Sequence, residues 1–101
     1  MVSFTDRVEP PPHVLVRFLD RESVLLNLET ERYFGLDETG TRMWQLVTAA
    51  PSIDAAYQDL QNEFDVESDL LRTHLTELVR RLVDHGLLQI QPADVAKAET
   101  I

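Results

Sequence analysis

The spacing of apolar residues changes period once along this chain, near residue 37, and that change decides its fold class. Upstream, apolar residues come in short runs with tight polar links between them. His13-Val14-Leu15-Val16-Arg17-Phe18 is rich in β-branched and apolar residues, as strands are. Leu19-Asp20-Arg21 supplies a turn. Glu22 to Glu29 follows, with Val24, Leu26 and Leu28 alternating against Leu25, Asn27 and Glu29. A period of two gives one buried face and one wetter face. Thr30-Glu31 then links to a third short strand, Arg32-Tyr33-Phe34-Gly35-Leu36. Links this short predict antiparallel hairpins.

Downstream the period lengthens to that of a helix. Asp37 or Thr39 can cap a first helix running to about Ala49, with Met43, Trp44 and Val47 at helical spacing. Pro51-Ser52 ends it and opens a second, because Ser52 suits an N-cap. Ile53, Ala56, Tyr57, Leu60 and Phe64 share one face of that second helix. A third and longer helix runs from about Glu67 to His85, and Gly86 stands where a left-handed C-terminal cap is expected. Leu87-Leu88-Gln89-Ile90 can add a short extended piece. The prediction is an α+β domain, a three-stranded antiparallel sheet followed by three helices, with the helices on one side of the sheet. Residues 1–12, which end in Pro10-Pro11-Pro12, read as an N-terminal arm in extended polyproline geometry. Residues 13–91 are the domain and residues 92–101 a tail.

Composition narrows the function classes. A chain of 101 residues, 44% apolar, can build one modest core and leaves little room for a deep enclosed site. The absence of cysteine excludes disulfides, thiolate zinc sites and cysteine nucleophiles. Residues 1–12 contain Asp6 and Glu9 and no apolar run, unlike a signal peptide. No stretch approaches the roughly 18 apolar residues of a membrane span, so the cytoplasm is the expected compartment and no membrane partner is expected. Eighteen acidic residues face nine basic ones, a net charge of -9. Nucleic-acid binding needs a concentrated positive surface, and only Arg80-Arg81 forms a basic pair.

No catalytic constellation emerges. The histidines are His13, His74 and His85. The last two lie about three turns apart on one predicted helix, too far to share a metal. There is no glycine-rich phosphate loop, no GxSxG elbow and no HExxH. Asp37-Glu38 suits a helix N-terminus. The residues therefore predict no enzyme, no metal and no cofactor.

Two features point to work done on a surface. On the third helix, Leu70, Leu71, Leu75, Leu78, Val79, Leu82 and Val83 span more than half the circumference, whereas packing one core needs a stripe of roughly 100° or a little more. The excess fits a second surface, and it fits equally a helix flanked by two elements of its own domain. The third strand is short, leads straight into a helix and can present a free edge. Backbone groups on such an edge can pair with an extended peptide. A proline at Phe34 is then expected to abolish the pairing. Tyr33 and Phe34 alternate, so one of them points away from the core, and Trp44 is expected to anchor the first helix.

The run from Val24 through Leu36-Asp37-Glu38-Thr39-Gly40-Thr41-Arg42-Met43-Trp44-Gln45-Leu46, with the later Leu82-Val83-Asp84-His85-Gly86-Leu87-Leu88, resembles the PqqD-like family. The resemblance covers about residues 13–90. It implies a winged-helix-like domain that binds the leader of a ribosomally made precursor peptide. The leader would add as a further strand beside residues 32–36 and lie against the third helix. The implied site is Arg32, Tyr33, Phe34, Gly35 and Leu36 on the strand, with Leu71, His74, Leu75, Leu78, Arg81 and Leu82 on the helix. The implied partner is a separate processing or modifying enzyme. In lasso-peptide clusters, whose stand-alone members this sequence resembles in phrasing, it is a leader-cleaving cysteine protease. In pyrroloquinoline quinone synthesis it is a radical-SAM enzyme. A winged-helix nucleic-acid binder is the alternative, which the charge disfavours.

Overall fold

A computed structural model describes residues 2–91. Eight elements follow one another: β1 (Arg7–Glu9), β2 (Val14–Leu19), β3 (Glu22–Asn27), β4 (Arg32–Leu36), α1 (Glu38–Ala49), α2 (Ile53–Glu63), α3 (Ser68–Asp84) and β5 (Gln89–Gln91). β2, β3 and β4 form an antiparallel sheet in that order, so the expected sheet followed by three helices is what the chain adopts. The expected tail, residues 92–101, lies outside the described residues.

The hairpin links are short and locally strained. Leu19 pairs with Glu22, leaving Asp20-Arg21 as the loop, with Asp20 at φ 63°. The link from Asn27 to Arg32 ends on Glu31 at φ 60°, and the Glu31 N–H donates to the Asn27 carbonyl at 2.8 Å. The caps are those the sequence offers. Asp37 accepts from the Gly40 N–H at 2.8 Å, and Ser52 accepts from the Ala55 N–H at 3.1 Å. After α3, Gly86 takes φ 70°, the left-handed conformation that ends a helix.

The core lies between the sheet and the helices. Trp44, Met43 and Val47 of α1, Ile53, Ala56 and Leu60 of α2, and Leu71, Leu75, Val79 and Leu82 of α3 are buried with Leu25 and Leu36 of the sheet. On β3 the buried residues are Ser23, Leu25 and Asn27, while Val24 and Leu26 are half-exposed. The more polar set therefore faces inward, because its polar groups find partners there. The Ser23 and Thr41 hydroxyls bond at 2.8 Å, and Asn27 bonds in two directions described below. Among the described residues no buried side-chain nitrogen or oxygen lacks a partner, as buried polar groups require.

The N-terminal stretch is more than an arm. Its residues 7–9 form β1, which pairs antiparallel with β5, Val8 opposite Ile90, and Val8 is fully buried. Before it, the Phe4 and Asp6 carbonyls accept from the Asp54 and Ile53 N–H groups at 2.8 and 2.9 Å. Those donors belong to the first turn of α2, where a helix leaves its own N–H groups without partners. The Phe4 ring stands edge-on to Tyr57 with the Arg72 guanidinium 3.9 Å from its centroid. A three-residue strand beside a proline run carries no readable period, which is why the sequence did not disclose it.

Candidate functional site

The sheet has two free edges, and among the described residues no strand pairs with the outer side of β2 or of β4. Which backbone groups each edge offers follows from the register. The Leu28 N–H donates to the His13 carbonyl at 2.9 Å, so those opposite residues form a hydrogen-bonded pair. Groups alternate sides along an antiparallel strand. Leu26 and Val24 therefore bond toward β2, and Leu25 and Ser23 bond toward β4. Their partners Phe34 and Leu36 face β3 in turn. The N–H and C=O groups of Tyr33 and Gly35 then point away from the sheet, and they are the free groups on β4. A proline at Phe34 would break the β3–β4 ladder itself; the edge is addressed at Tyr33 and Gly35.

Beside this edge runs a groove whose second wall is the C-terminal half of α3. Two hollows lie along it. One, of about 500 Å³, lies among Tyr33 to Asp37, Leu78 and Arg81. The other, of about 520 Å³, lies among Arg32, Tyr33, Phe34, Asp84, His85 and residues of the adjoining loops. Phe34 lines both, with Leu36 at one hollow and Arg32 at the other. Its ring meets His85 edge-on at 5.4 Å between centroids, and the Arg81 guanidinium stands 5.1 Å from its centre. Two hollows that share an aromatic ring suit alternate side chains of an extended chain, which point the same way at every second residue.

The groove's far end is held by two polar residues, Asn27 and His13. Asn27 is buried, and its Oδ1 accepts from the Glu29 and Thr30 N–H groups at 2.9 and 3.2 Å. Its Nδ2 donates to the His85 carbonyl at 3.1 Å. His13 adds a bond from Nε2 to the Gly86 carbonyl at 3.2 Å. The turn that starts β4 and the turn that ends α3 are thereby joined.

The sequence-predicted site residues divide. Arg32, Tyr33, Phe34 and Gly35 line the groove with Leu78 and Arg81, and Leu36 closes its floor from the core side. Leu71, Leu75 and Leu82 are buried in the core, because one turn-spaced stripe of α3 faces α2 and the sheet. His74 is exposed on α3 and lines neither hollow. The wide apolar stripe thus resolves into a core face with Leu78 on its groove flank and Leu70 exposed. Asn27, His13, Asp84 and His85 went unread as site residues. Only Gly86, read as a cap, marked that end of the groove.

The sheet's other face is apolar and open. Leu15, Leu26 and Tyr33 form one cross-strand row, with Leu15 47% and Tyr33 77% exposed. Tyr33 is thus the outward aromatic and Phe34 the inward one. Elsewhere, Arg42 and Glu63 pair at 2.6 Å across α1 and α2. The hydrogen bond from Arg42 holds the Glu63 carboxyl below its ordinary range. Among the described residues no three His, Cys, Asp or Glu side chains group as a metal site, and no helix is long and apolar enough to cross a membrane.

Comparison with known proteins finds two kinds of likeness. The model of the family described as coenzyme PQQ synthesis protein D, PqqD, matches residues 22–88. A solved structure described as TbiB1 in complex with the TbiA(beta) leader peptide superposes with a TM-score of 0.75 at 30% identity, over 80% of this chain and 94% of that one. A lasso peptide synthetase B1 complexed with the leader peptide superposes with a TM-score of 0.74 at 24% identity, over 82% of this chain and 98% of that one, and shows the fold. No curated protein matches the sequence.

Proposed function

This chain belongs to the PqqD family, and on that premise we propose that it is a non-catalytic binder of the leader segment of a ribosomally synthesised precursor peptide. The leader adds as a strand beside β4, through the backbone of Tyr33 and Gly35, and sets alternate side chains into the two hollows lined by Phe34. The carrying observation is the free β4 edge facing α3 across a ready groove. The similarity to TbiB1, solved with a leader peptide, supports it.

The bound leader is presented to a separate enzyme. A lasso-peptide leader protease is favoured over a radical-SAM enzyme by the sequence's likeness to the stand-alone members of lasso-peptide clusters. The open apolar face of the sheet, around Leu15, Leu26 and Tyr33, is the surface available to that partner. An apolar patch of this kind, rimmed by charge, commonly marks a protein interface. The cytoplasm is the compartment where precursor, binder and enzyme would meet.

Isothermal titration with the leader of the precursor encoded alongside this protein tests the reading. Binding in the micromolar range or tighter is expected. No heat at high micromolar protein would refute it.

A further inference from the structure

Gly35 is a glycine that this chain does not itself require. Its φ is not positive, and a Cβ built on it meets no heavy atom within 4 Å. A glycine in a strand loses packing and backbone order relative to other residues. On the outer face of the sheet its missing side chain leaves a hollow of about 300 Å³, walled by Leu19 and Val24, with Glu22 and Asp37 at its rim. Val24 is Gly35's cross-strand partner, so the notch runs from the free β4 edge inward to β3.

We infer that this notch is a side-chain subsite for the bound strand, and that it takes an aromatic residue. The inference rests on the docking reading above and adds a second, outward-facing specificity element to the inward-facing groove. A strand added beside β4 puts the side chain next to Gly35 on the sheet's outer face, because side chains of neighbouring residues in a sheet share a face. That side chain has no Cβ to lean against on Gly35. It can lie flat across the glycine and pack on Val24, the arrangement by which aromatic neighbours stabilise glycines in sheets. The added strand lies two strand spacings, roughly 9.6 Å, from Val24's strand. A planar ring laid across Gly35 reaches Val24 with few rotatable bonds to order, whereas a short or branched aliphatic chain does not.

The test is selection of a displayed library of random twelve-residue peptides on the whole protein and on Gly35→Val. The variant should fold with an unchanged melting temperature, since its new side chain meets open space and valine favours strands. Peptides that shift the Tyr33 and Gly35 amide resonances are the edge binders. On the unsubstituted protein these should share one aromatic position, and alanine there should weaken binding by roughly three- to tenfold. On Gly35→Val the shared aromatic should disappear, and the alanine effect should fall below about twofold. Edge binders with no aromatic position, with a basic residue there instead, or with the same preference on Gly35→Val overturn the inference and leave the docking reading intact. A library that yields no edge binder overturns both.

Discussion

The side-chain amide of Asn27 donates to the main-chain carbonyl of His85 at 3.1 Å, joining the end of β3 to the end of α3. The same side chain accepts from the Glu29 and Thr30 N–H groups of the turn that leads into β4. This buried amide, with the bond from His13 to the Gly86 carbonyl, therefore sets the spacing between the two walls of the groove.

Asn27→Ala should separate those walls. It leaves three main-chain groups without their protein partner, and a loss of about 2 kcal/mol or more in urea unfolding is expected. Leader affinity should fall as well when measured at a temperature where the variant is fully folded. A variant with reduced stability and unchanged affinity would show that Asn27 holds the fold without shaping the groove.

Glu31 sits at φ 60°, a conformation that costs an ordinary side chain roughly 1–2 kcal/mol. Asparagine tolerates it better. Glu31→Asn should raise the unfolding free energy by up to about 1 kcal/mol. Asp20, at φ 63°, is already a tolerant residue type, so Asp20→Asn should change little. Chemical denaturation of the two variants side by side gives the comparison.

The Arg42–Glu63 pair makes a pH prediction. The Glu63 carboxyl is held below its ordinary pKa by the hydrogen bond from Arg42. A carboxyl depressed on folding stabilises the native state above its unfolded pKa, and that stabilisation is lost as pH falls through the lower folded value. Melting curves of the parent protein and Glu63→Gln should therefore differ at neutral pH and converge as pH drops below the ordinary 4.5. Both groups are exposed, so the difference at neutral pH is small and shrinks with salt. A gap that widened in acid would contradict the assignment.

The outer face of the sheet predicts a separation of functions. Leu15→Glu places a charge on that face, on β2, and leaves β4 and both hollows unchanged. Leader affinity measured by titration should stay within about threefold of the parent, a change of under 1 kcal/mol. Assembly with the processing enzyme, followed by size exclusion, should be lost. Equal loss of both would show that the two surfaces are one.

Much of this was legible in the residues. The change of period fixed the order of strands and helices, Asp37, Ser52 and Gly86 marked their ends, and the free third strand pointed to an edge. The phase of β3 was not legible, because Ser23 and Asn27 look like surface residues until Thr41 and His85 come near. β1 was hidden for the same reason, since Val8 is buried only by its distant partners. On α3 the resemblance spread the site over Leu71, Leu75 and Leu82 as well as His74, Leu78 and Arg81, and the first three are buried. Those three belong to the core, and a single helix cannot say which of its apolar neighbours meets the sheet. The partners of Asn27 lie at positions 85 and 86, and contacts so distant in sequence leave no local pattern.

Amide hydrogen exchange of the free and leader-bound protein tests the central claim most directly. The account predicts that the Tyr33 and Gly35 N–H groups, which point away from the sheet, become slow to exchange on binding. Those of Val16 and Phe18, on the opposite edge at β2, should keep their rates. Protection at Val16 and Phe18 with none at Tyr33 and Gly35 would move the peptide to the other edge and contradict it.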